Sequence, residues 1–176
     1  MKEAIKKNGV NFGIILGILL IALITIQYTV DINLFVNPWI NIIKMILFIV
    51  LGIIAIAKAK ASLKGFISFK EAFTAYFLTI VIGSLGSTLF VILLFNVIDP
   101  SAKTTVMDLI IESTAKTLQS FGSSTEDIKK MVDEMEKADS FGVASQLKGL
   151  AISILGYSVV GLICAAAFKK NPTHEQ

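Results

Sequence analysis

Arginine is absent from the 176 residues, and all 16 basic side chains are lysine. Nucleic-acid recognition draws on arginine forks and clustered positive charge. A formal net charge of +3 spread along the chain supplies neither. A single cysteine, Cys164, excludes an intrachain disulfide and lies in an apolar run. The one histidine, His174, falls in a short polar tail after Lys170, where nothing fixes the geometry of a metal site or a nucleophile–base pair. The long apolar runs hold no carboxylate pair, and Gly83-Ser84-Leu85-Gly86-Ser87 lacks the lysine of a phosphate-cradling loop. No catalytic, cofactor-binding or metal-binding residue is expected, and an enzyme is disfavoured.

Charge is scarce too, at 16% of residues against 55% hydrophobic. So little polar surface cannot cover a water-soluble globule, and the excess apolar mass must face lipid. Four runs are long enough to span, at about 10–30, 39–57, 72–98 and 147–168. The first carries no charge and reaches roughly 31 Å as a helix, which matches the hydrocarbon core. It outlasts a signal-peptide core and no small-residue cleavage site follows it, so it is read as retained. Asn37-Pro38-Trp39 opens the second with a cap, a first-turn proline and an interfacial ring. Ser68 and Glu71 open the third with capping-box spacing, and Asp99-Pro100 stops it. Its length predicts tilt or a protruding turn.

Lysine placement predicts orientation. Lys2, Lys6 and Lys7 precede the first run, Lys58, Lys60, Lys64 and Lys70 connect the second to the third, and Lys169 and Lys170 follow the fourth. Short lysine-rich segments stay in the cytoplasm, so both termini are expected there. The long segment 99–146 then lies outside the membrane. Within it Met107, Ile111, Ala115 and Leu118 recur at helical spacing, predicting a helix over Thr104 to Phe121. Ser123 and Glu126 have capping-box spacing for a second helix that ends near Ala138. The expectation is a helical hairpin that packs on the outer ends of the spans or docks a membrane or periplasmic partner.

Small residues recur every fourth position on three spans: Gly9, Gly13 and Gly17; Ala75, Thr79, Gly83 and Ser87; Gly161 and Ala165. Such ridges let two helix backbones approach closely, within one chain or between copies in a homo-oligomer. Lys44 lies inside the second span; it is expected to snorkel outward or to join Asp31 and Asp99 in a polar cluster at the outer rim. Ser84, Ser87 and Thr88 on the third span, with Ser153, Tyr157 and Ser158 on the fourth, are placed to hydrogen-bond across the helices.

The basic start, the glycine-bearing first span, the entry Gly65-Phe66-Ile67-Ser68-Phe69-Lys70-Glu71-Ala72-Phe73, the helical segment after Asp99-Pro100 and the terminal lysines together resemble the domain-of-unknown-function family 4199. The resemblance implies a four-helix integral protein of a bacterial inner membrane with a periplasmic 99–146 segment, and it supplies no activity or site. The fold expected is all-α: one integral membrane domain over 1–176, with four transmembrane helices and an extracytoplasmic hairpin between the third and fourth. A non-enzymatic structural or interaction role is expected. The alternatives are a small transporter or channel subunit and, behind it, a membrane-bound enzyme.

Overall fold

The computed structural model describes residues 2–170. Among them the chain forms α1 (Lys2–Thr29), α2 (Pro38–Ser62), α3 (Phe69–Leu93), α4 (Pro100–Ser120), α5 (Thr125–Lys137) and α6 (Val143–Phe168), with no strand beyond an isolated bridge. A 3-10 turn, Ile32–Phe35, joins α1 to α2, and α3 continues into a π-helical turn, Leu94–Ile98. Four helices, α1, α2, α3 with its π turn, and α6, are long and apolar enough to cross a bilayer. The chain is a membrane protein. His174 lies outside the described residues.

Local chemistry sets the helix ends. Asn37 accepts a hydrogen bond from the Trp39 N–H at 2.9 Å, with Pro38 in the first turn of α2. Ser68 and Glu71 form a reciprocal capping box at the start of α3. The starts of α4 and α5 differ from expectation. Helix α4 starts at Pro100 rather than Thr104, because Asp99 accepts from the Ser101 and Ala102 N–H groups and proline suits the first turn. Residues read as a stop for one helix are the start of the next. Helix α5 is capped by Ser124 and Asp127, one residue later than expected. Ser123 is still bound to the end of α4: its N–H reaches the Leu118 carbonyl and that of Gly122 reaches Gln119. Gly122 takes the positive φ of 78° that this closing turn demands.

Packing centres on α3, which contacts α1, α2 and α6. The start of α1, the α2–α3 connection and the end of α6 share one end of the molecule. There Asn8 meets Ser62, the Lys60 ammonium donates to the Phe168 carbonyl at 2.9 Å, and Ile67 and Lys170 exchange backbone hydrogen bonds. This is the lysine-rich end. From it a first apolar core, including Leu16, Ile56, Ala75, Tyr76 and Ile80, runs to mid-helix. A second core at the far end joins Ile24 of α1, Leu94 and Phe95 of the π turn, Ala102 and Val106 of α4, and Phe141. It mounts α4 on the ends of the long helices. Helix α5 touches α4 and buries none of its residues.

Candidate functional site

Between the two cores lies a polar cleft. Asn41, Lys44 and Phe48 share one face of α2, at intervals of three and four residues. Ser145, Gly149, Ser153 and Tyr157 repeat every fourth position along α6, with Gln146 beside them. Ser84, Ser87 and Thr88 of α3 form the floor. Together they line a space of about 440 Å³.

Uneven burial along the helices leaves it. The buried residues of α2 run from Phe48 to Ala59, and those of α6 are Gly161 and Ala165, so the two helices are sealed only in their lysine-rich halves. On α3 burial is interrupted between Ser84 and Leu94. The cleft occupies that interval and opens toward the far end. Its inner limit is aromatic: the Phe48 and Tyr157 rings stack with centroids 4.2 Å apart. Beyond them the buried Tyr76 ring is clamped between Gly52 of α2 and Gly161 of α6, each of which leaves room where a Cβ would collide with it.

Among the described residues the polar groups of the cleft are not tied to one another across helices. Ser87 donates to the Ser84 carbonyl at 3.0 Å, and Ser158, next to Tyr157 but outside the lining, donates to the Ile154 carbonyl at 2.6 Å, each within its own helix. Helical serines satisfy themselves in this way without a partner. The Ser84 hydroxyl, only 4% exposed, has no hydrogen-bond partner among the described residues. Lys44 is half-buried, and no ion pair or hydrogen bond engages it among the described residues.

Asp31, Lys44 and Asp99 therefore do not form a cluster. Asp31 accepts from the Asn33 backbone and side chain, which hold its carboxyl below the usual carboxylate range. Asp99 is held low by the Ser101 hydroxyl, the Tyr28 hydroxyl at 2.8 Å and the Ala102 N–H. Both acids are occupied in fixing the turns at the far end, and Lys44 faces the cleft instead. Another hollow, between α4 and residues 136–141, holds the ion pair of the half-buried Lys103 with the exposed Asp139, whose charges already satisfy each other.

The family model described as protein of unknown function (DUF4199) matches residues 11–170. The chain belongs to this family. No curated protein and no solved structure matches it. The matched stretch of this DUF4199 chain contains every residue that lines the cleft.

The first small-residue ridge of the DUF4199 chain, on α1, faces α3. A Cβ on Gly9 would stand 2.8 Å from Leu78 Cβ, and one on Gly13 2.7 Å from Ile82 Cβ, so these glycines set the approach of α1 to α3. Gly17 faces Gly83 at ordinary contact distance, while Gly83 itself abuts Leu16. The buried Thr79 hydroxyl donates to the Ala75 carbonyl at 2.9 Å and lies 3.2 Å from that of Gly9. Ala75 and Ala165 are fully buried, and Ser87 faces the cleft. Sequence reading of this DUF4199 chain missed Gly52, an isolated glycine with no ridge to mark it. It also missed Asn41 as a companion of Lys44, and it named Ser153 without Ser145 and Gly149, whose four-residue spacing was the available signal.

Proposed function

We propose that this protein binds a ligand without chemical conversion, in a bacterial inner membrane that it crosses four times. The start of α1 and the end of α6 are cytoplasmic, and α4 and α5 form a helical hairpin on the periplasmic side. Lysine placement supports the orientation: Lys58, Lys60, Lys64, Lys70, Lys169 and Lys170 flank one end, while the α1–α2 connection has none. The cleft then opens to the periplasm.

The observation that carries the binding reading is the polar cleft, with its unpaired lysine, in the flank of otherwise apolar helices. An ammonium within a span is costly unless it meets water, an anion or a dipole. The lining supplies hydroxyls and amides but no carboxylate, thiol or imidazole, and no lining hydroxyl is hydrogen-bonded to Lys44. That chemistry suits recognition rather than proton transfer. The aromatic stack and the clamped Tyr76 ring favour a blind pocket over a conduit.

Cysteine accessibility tests this reading. With Cys164 replaced by alanine, Ser145→Cys and Ser153→Cys in intact cells should react with a membrane-impermeant maleimide added outside, whereas Leu155→Cys, 69% exposed on the apolar face of α6, should not. Labelling only from the cytoplasm would reverse the orientation, and solute-selective flux through the protein in liposomes would make it a conduit.

A further inference from the structure

We infer that the ligand of the cleft is an anionic phospholipid of the outer leaflet, held by its headgroup with Lys44 as counter-ion. This rests on the reading of the cleft as a binding site. Charge comes first: neither Asp31 nor Asp99 neutralises Lys44, and no lining residue is acidic. The missing charge in the cleft is an anion.

Depth comes second. Trp39, 71% exposed, has the ring expected at headgroup level, and Lys44 lies five residues further along α2, about 7.5 Å into the membrane. The four-carbon stem of Lys44 carries its ammonium from there back toward headgroup level, where an outer-leaflet lipid presents its phosphate. Shape is the third observation. Because α2 and α6 are sealed only in their inner halves, the cleft opens sideways into the bilayer as well as outward. Leu150 of α6 lines it, and exposed apolar side chains flank the lining residues in sequence, Met45 beside Lys44 and Ile152 beside Ser153, along which acyl chains can lie.

The floor completes the site. The buried Ser84 hydroxyl without a partner, together with Ser87, Thr88 and Asn41, offers neutral donors and acceptors suited to a phosphodiester with a hydroxylated head. A headgroup bearing its own ammonium would set that charge against Lys44. The inferred preference is for phosphatidylglycerol-like over phosphatidylcholine-like lipid.

The test uses the full chain in nanodiscs of dioleoylphosphatidylcholine doped with dioleoylphosphatidylglycerol, followed by delipidation and mass spectrometry of the retained lipid. The wild type should retain phosphatidylglycerol in excess of its mole fraction. Losing one charge-assisted contact in Lys44→Gln should cut that retention about tenfold. Lys44→Arg should keep most of it, and Lys148→Gln, which removes an exposed charge from the same end of α6, should leave it unchanged. Ser87→Leu, which fills the floor, should reduce retention with Lys44 intact. Unchanged melting in pure phosphatidylcholine establishes that each variant is folded.

Equal retention of the two lipids by the wild type overturns the inference, as does an equal effect of Lys44→Gln and Lys148→Gln. Glycerol phosphate that displaces the lipid at equal concentration assigns the site to a soluble anion and overturns it as well. If Ser153→Cys still labels in pure phosphatidylcholine discs, such a failure removes the lipid alone; absence of labelling removes the hydrated cleft itself.

Discussion

Glycine 13 determines how near α1 can come to α3, because any side chain there meets the Cβ of Ile82. Gly13→Leu should therefore lower stability by about 1–3 kcal/mol through overpacking, while Gly17→Ala, whose nearest neighbour lies 3.6 Å away, should be close to neutral. Thermal unfolding of the two variants in the same detergent checks the difference; equal melting would deny that Gly13 is a close-contact position. The two glycines look alike in the sequence, being successive members of one ridge. Only the partner surface separates them: Gly13 meets a branched isoleucine, and Gly17 meets another glycine. Gly52 makes the same point in reverse, since it belongs to no ridge yet seats the Tyr76 ring.

Among the elements, α4 depends on one carboxylate. Asp99 caps its first turn and accepts from Tyr28 of α1, and those hydrogen bonds favour the ionised form. A carboxyl whose folded pKa is depressed stabilises the fold above its unfolded value, about 3.9, and that stability is lost as pH falls through the lower folded value. Protection of the amides in the first turn of α4, measured as exchange relative to the intrinsic rate at each pH, should therefore fall on acidification below about pH 4. Asp99→Ala should make exchange there fast at neutral pH and remove the acid dependence. The helices α2 and α3 were legible with their caps because Asn37, Pro38, Ser68 and Glu71 act within one turn of their own helix. The starts of α4 and α5 were misjudged because Asp99-Pro100 and Ser123 each suit two roles, and neighbouring turns decide between them.

For the whole molecule, the separation into two cores predicts separable unfolding. Phe95 is fully buried, with the Phe141 and Phe35 rings at 4.6 and 5.7 Å, and it belongs only to the far-end core. Phe95→Ala should cost about 3–5 kcal/mol there. Exchange in α4 and in residues 138–142 should accelerate while Tyr76 and its neighbours on α3 stay protected; uniform acceleration along α3 would mean a single cooperative core. Composition and periodicity by themselves determined that the chain lives in lipid and that four helices are long enough to span. These properties depend on spacing along one helix and on the scarcity of charge. Tertiary structure alone decided that Lys44 faces Ser84 and Ser153 rather than Asp31 or Asp99, because that outcome depends on where α2 and α6 part company. The close packing beyond the cleft is set by Tyr76, Gly52 and Gly161, which lie on three different helices and carry no common spacing for a linear pattern to reveal.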